Sequence, residues 1–243
     1  MKLIKADHNR RLEIPGVPGL ARRPVDIDRS RMGFANLRSF RIYQFDAQSV
    51  INGHAEEDEV FVVVLAGSVE LSVTEGNSGG GSRSFALSAA GSSHNDASVA
   101  YLPPQSGYQL TPKTDADVAY ARATPVGGRP STAFTPSAWT SAAGITVLLE
   151  EATYAHRLRL RLIQVDASQG DVTFTPIQES ESSCEALVHL RTVPAERVAT
   201  IMTLGAGPTQ LNSWDTAVLT PGDHPTLCIA MRSSALVLVV LAV

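Results

Sequence analysis

From end to end, the 243 residues fall into short β-branched runs broken by Gly, Pro, Asn and Ser, a punctuation that leaves little room for helices. Val69, Leu71 and Val73 alternate with Glu70, Ser72 and Thr74, and Leu158, Leu160 and Leu162 alternate with Arg157, Arg159 and Arg161. A period of two gives a strand one buried face. Residues 60–65 and 236–241 are instead continuously apolar, as strands covered on both faces and central in their sheets require. The expected class is all-β.

The length suits one large domain or two small ones, since domains usually run roughly 100–150 residues. Residues 124–144, TPVGGRPSTAFTPSAWTSAAG, are rich in Pro, Gly, Ser and Thr and mark a connection between two β units. This places an N-terminal unit at 1–123, a linker at 124–144 and a C-terminal unit at 145–243. Phe134 and Trp139 give the linker two rings with which to pack over a surface. Between Glu75 and Ser82 the run GNSGGGS tolerates positive φ and reads as a mobile hairpin tip.

The halves share a faint repeat. Glu56, Glu57, Asp58 and Glu59 precede one apolar strand, and Glu179, Glu181 and Glu185 precede another at 186–190. Each half later has a strand running into Pro, VAYLPPQSG and AVLTPGDHP, as a duplication would leave it.

Hydrophobic residues are 44% and charged residues 18% of the chain, enough to bury a core. A net charge of −4, with no basic stripe, excludes nucleic acid as an expected partner. The N-terminus lacks the apolar stretch of a secretory signal, and the longest apolar run, 235–243, is well short of the ~20 residues of a membrane helix. A cytoplasmic protein without a membrane partner is expected, with Cys184 and Cys228 as thiols rather than a disulfide framework.

The segments EVFVVVLAGSVELSV (59–73), GSRSFAL (81–87), VAYLPPQSGYQL (99–110), PGDHP (221–225) and the closing LVLVVLAV follow one another in an order that resembles a family of two-barrel cupins. That family comprises 5-deoxy-glucuronate isomerase and 5-keto-4-deoxyuronate isomerase, enzymes of inositol and pectin breakdown. The resemblance implies two tandem cupin-type jelly-roll barrels and aldose–ketose isomerisation of a small sugar acid such as a deoxyuronate. It also implies a divalent metal, zinc in the family, in the second barrel.

On that resemblance His224 takes the place of the family's His in PGDHP, and Glu185 heads its strand as the family Glu does. The paired His positions fall instead on Gln178 and Ser180, and the neighbouring register offers Glu179 and Glu181. The implied ligands are Gln178, Glu185 and His224, with Glu179 or Glu181 as the base that moves a proton through an enediol. So oxygen-rich a set favours harder ions such as Mn²⁺ or Mg²⁺ over zinc. His189 lies four residues beyond Glu185, roughly 13 Å along the strand, and cannot join them.

Other candidates carry weaker expectations. His54 with Glu56 or Glu59 is a conceivable ligand set, but no His lies between Ala97 and Pro112 to complete it, so the first barrel is expected to be structural. Arg157, Arg159 and Arg161 form either a carboxylate-binding face or, as the stronger expectation, a solvated one. The alternative to an isomerase is a non-catalytic two-barrel protein that keeps the fold and a cavity for a small sugar-like ligand.

Overall fold

A computed structural model describes the chain except residues 13–20, 48, 77–80, 91–96, 128, 194, 196, 197 and 204–206. Runs with one apolar face must bury it against one another, and here they do so in two compact units. The first comprises Asp7–Pro136 and Thr153–Leu158. Its seven-stranded sheet runs Thr132–Phe134, Val99–Leu102, Glu59–Ala66, Ala116–Ala123, Leu37–Phe45, Ala21–Asp28 and Arg11–Leu12. Its four-stranded sheet runs Ile51–His54, Gly107–Pro112, Ser68–Thr74 and Ser82–Ser88.

The second unit comprises Met1–Ala6, Ser137–Ala152 and Arg159–Val243. Its seven strands run Lys2–Ile4, Thr216–Leu219, Glu185–Val193, Ser234–Ala242, Leu158–Asp166, Ile145–Glu151 and Trp139–Ala142. Val172–Phe174, Thr226–Ile229, Ala199–Met202 and Thr209–Leu211 make its four-stranded sheet. The two orders correspond strand for strand, which is what the faint repeat implies. Each unit is a two-sheet jelly-roll barrel. Helix among the described residues is confined to Arg29–Met32 and a 3-10 turn at Glu179–Glu181.

The continuously apolar runs sit where two-sided burial puts them. Glu59–Ala66 lies between Val99–Leu102 and Ala116–Ala123, and Ser234–Ala242 lies between Glu185–Val193 and Leu158–Asp166. Val60, Val62 and Val64 join the first barrel's core, while Phe61 on the opposite face meets Tyr101 and Phe134 edge to face at 6.0 and 6.1 Å. Ser68–Thr74 pairs with Ser82–Ser88 as a hairpin, with Thr74 opposite Ser82. Residues 77–80 of its expected tip lie outside the described residues.

Chain order alone assigns two segments differently from the structure. Lys2–Ile4, expected with the first unit, pairs with Thr216–Leu219 of the second, where its backbone completes the edge of that sheet. Thr153–Leu158, expected with the second unit, belongs to the first. The reason is Glu59. Its fully buried carboxylate accepts the backbone N–H groups of His156 at 3.1 Å and of Arg157 and Leu158 at 2.7 Å each. A buried carboxylate needs donors, and a non-strand segment needs acceptors, so each satisfies the other. The expected linker divides likewise, Thr132–Phe134 closing one sheet and Trp139–Ala142 the other. Phe134 packs on Tyr154 at 5.6 Å, whereas Trp139 is 41% exposed.

Two stability predictions follow from these buried groups. Glu59→Ala strands three backbone donors, and at roughly 1–3 kcal/mol for a buried unmet group the urea midpoint should fall clearly; an unchanged midpoint would refute the assigned role. His189 is buried, with Nδ1 3.0 Å from the Thr216 hydroxyl, and burial, aided by Arg191, pulls its pKa from 6.5 down to about 3. The unfolded chain therefore takes up this proton below about 6.5 and the folded chain only near 3. Stability held above pH 6.5 should fall with pH through that window, by at most ~1.4 kcal/mol per unit from this group. His189→Gln should flatten that slope in thermal melts across the window.

Candidate functional site

The residues implied as a metal site lie on a barrel with an aliphatic core. Val165, Val188, Leu190, Ile201, Leu227 and Val239 are among the aliphatic side chains of one buried cluster there. Glu185 opens its strand and is 9% exposed, at the place that Glu59 holds in the first barrel. Gln178, Glu179 and His224 are exposed. Glu181 is buried, but its carboxylate is already engaged. It accepts Arg161 Nη1 at 3.4 Å, Arg161 Nη2 at 3.2 Å and the Gln178 backbone N–H at 2.9 Å.

Arg161 also donates from Nε to Glu150 at 2.9 Å and from Nη1 to the Pro176 carbonyl at 3.0 Å. Expected on a solvated face, it is instead 7% exposed, because two carboxylates and a carbonyl meet its planar fork. Glu181, implied as a base, is placed as a counter-ion. The structure brings Gln178 and Glu181 together through the 3-10 turn. Among the described residues no three His, Cys, Asp or Glu side chains converge as metal ligands.

The first barrel, expected to be structural, contains a cavity of about 220 Å³. Strand periodicity builds one wall: Arg41, Tyr43 and Phe45 alternate on one face of Leu37–Phe45, and Tyr120 and Arg122 do so on the neighbouring Ala116–Ala123, with Tyr120 opposite Arg41. Tyr43 stacks on Phe45 at 5.4 Å and meets Tyr120 edge-on at the same separation. The other sheet contributes Ile51, Asn52, His54 and Tyr108. Tyr108 pairs with Gly53, and a Cβ there would lie 2.2 Å from the phenol carbon Cζ, so only glycine lets the ring lie across that strand.

Three arginines, Arg23, Arg41 and Arg122, line this cavity. Asp26 steadies two of them, accepting Arg41 Nε at 3.0 Å and pairing with Arg23 Nη2 at 2.9 Å, while Arg10 approaches it at 3.3 Å. Arg23 also lies over the Tyr43 ring at 5.9 Å. Arg122 donates from Nη2 to the carbonyls of His54 and Ala55, and its Nε sits 3.2 Å from Asp58. Burial pushes the Tyr108 phenol up to about 12, and Tyr120 well above its ordinary range, so both keep their protons at neutral pH.

The lining thus offers fixed positive charge, neutral O–H groups and aromatic faces, and no carboxylate is among its described residues. His54 Nδ1 already accepts the Glu56 backbone N–H at 2.7 Å. In chemical terms such groups complement a small anion with hydroxyl groups: bidentate Arg a carboxylate, phenols and an amide its oxygens, rings its C–H faces. The signal was present in the sequence as Arg and aromatic residues at spacing two in RIYQF and YAR. Alternation shows that they share a face, but not that the face is inward and left unfilled.

Residues 21–144 match the KduI/IolB family. No curated protein matches the sequence. Among solved structures, an IolB-like protein of Salmonella typhimurium is similar at 14% identity and a TM-score of 0.71, over 99% of this chain and 92% of that one. A putative glyoxylate-induced protein of Pseudomonas aeruginosa aligns at 15% identity and 0.66, over 96% and 84%. The oxalate decarboxylase of Lactobacillus farciminis, solved with formate, aligns at 7% and 0.70, over 98% and 85%. At these identities the structural likeness carries the cupin fold alone, and the match spanning the first barrel carries the family. With its duplicated jelly roll and a matching stretch of just over half its length, the chain belongs to the KduI/IolB family.

Proposed function

We propose that this protein takes a small sugar acid into the cavity of its first barrel. One observation carries the reading: Arg23, Arg41 and Arg122 converge with Tyr43, Tyr108 and Tyr120 on about 220 Å³ of space. That volume is below the roughly 300–1,000 Å³ of pockets for drug-sized ligands, so the occupant is a single small molecule. Positive charge held by Asp26 and Asp58 selects an acid over a neutral sugar, and the rings cover its apolar face.

Family membership favours a second reading, in which the bound acid is also isomerised between its aldose and ketose forms. Both readings share the ligand class and differ in whether a proton is moved on carbon.

Calorimetric titration of the whole chain separates these. D-Glucuronate should bind and D-glucose should bind at least about tenfold more weakly, since one charge-assisted hydrogen bond contributes roughly 1.5–3 kcal/mol. Arg41→Gln should weaken glucuronate binding by a similar factor and leave the residual binding of glucose unchanged. Equal affinity for acid and neutral sugar would refute the proposal. Nuclear magnetic resonance of deoxyuronates incubated with the protein should show a new carbonyl form if the isomerase reading holds, and an unchanged spectrum if binding alone is its role.

A further inference from the structure

The three arginines that line the first barrel's cavity are not equally free to meet a ligand. Arg122 is committed to the protein: Nη2 donates to the carbonyls of His54 and Ala55, and Nε lies 3.2 Å from Asp58. Arg23 pairs through Nη2 with Asp26 Oδ2 at 2.9 Å and lies over the Tyr43 ring at 5.9 Å. Arg41 donates from Nε to Asp26 Oδ1 at 3.0 Å, and its two terminal amino groups meet no acceptor among the described residues. Cross-strand register makes this pair, for Asp26 stands opposite Arg41 where Ala21–Asp28 runs beside Leu37–Phe45. Asp26 Oδ2 also lies 3.3 Å from Arg10 Nη1, so one carboxylate gathers three guanidinium groups.

By charge alone a carboxylate is out of place here, since it weakens the field that draws an anion to the cavity. Its geometry gives it another use. An arginine that turns freely about its side-chain bonds loses that freedom when a ligand fixes it, and the loss is subtracted from affinity. Holding Nε in advance removes much of that loss. It also leaves the edge formed by Nη1 and Nη2 as the part of Arg41 that a carboxylate can meet, through two parallel hydrogen bonds. We infer that Asp26 is a positioning residue for ligand binding: it holds Arg41 so that the carboxylate of the bound acid docks on the two terminal amino groups, while Arg23 and Arg122 are spent on the protein and charge the cavity wall. The inference rests on the first barrel's cavity being the ligand site. It divides the labour among the three arginines and gives Asp26 a role that acts through one of them.

A double-mutant cycle, read by calorimetric titration of D-glucuronate into the whole chain, tests this. Asp26→Ala should weaken binding roughly tenfold, although it removes a negative charge from beside an anion site. In the Arg41→Gln background the same change should weaken binding no further, because a residue that acts through Arg41 then has nothing to position. Equal or tighter binding by Asp26→Ala means that Asp26 only balances charge, and overturns the assignment. Weakening by the same factor with and without Arg41 means a general effect on the barrel, and overturns it too. If Asp26→Ala shows no cooperative melt, Asp26→Asn carries the same cycle. Its single amide oxygen cannot serve Arg41 and Arg23 together, so glucuronate should again bind more weakly only where Arg41 is present; binding as tight as wild type, or tighter, overturns the inference. Wild type that binds no glucuronate overturns the cavity reading itself, a failure distinct from an unaffected Asp26 variant.

Discussion

A barrel closed by two sheets has an interior of limited width, and every second residue of each strand is committed to it. What those residues are decides whether the interior becomes a core or a site. In the second barrel many are aliphatic, and Val165, Val188, Leu190 and Ile201 are buried together in one cluster. In the first, Tyr43, Tyr108 and Tyr120 are rigid plates that meet edge-on or stacked, and the arginines beside them cannot pack as hydrocarbon. The same architecture, repeated strand for strand, therefore carries different side chains on its inward faces, with arginines and tyrosines around the first barrel's cavity.

Charge inside the first barrel is organised rather than merely present. Asp26 gathers Arg10, Arg23 and Arg41, and Asp58 faces Arg38 and Arg122. Burial pushes the Asp58 carboxyl up while Arg122 and Arg38 pull it down, as expected where a carboxylate is partly withdrawn from water to hold a guanidinium in place. Each acid thus positions cations whose remaining N–H groups are directed by the strands. Glu59 plays a different part, taking three backbone donors and so binding 156–158 into a barrel far from it in sequence.

The second barrel shows how motif order separates from chemistry. Glu185 stands at the head of its strand, as Glu59 does, and His224 follows the Pro-Gly turn as the family order requires. Yet Glu181 is consumed by Arg161, and Gln178 and His224 face outward. Position in a motif says which strand a residue begins; its lone pairs are available only if no neighbouring donor has taken them.

The sequence by itself determined the all-β class, the two-unit organisation, the central place of the apolar runs and the family, because period, burial on both faces and punctuation are local properties of a chain. Tertiary structure decided the rest. Which carboxylate is spent on an arginine depends on strands far apart in sequence, as with Glu181 and Arg161, and so does the exchange of Lys2–Ile4 and Thr153–Leu158. The cavity is a matter of unfilled volume, which arises only when two sheets close over side chains that cannot interpenetrate. RIYQF shows an alternation of arginine and aromatic residues; that its rings leave space follows from three-dimensional packing alone.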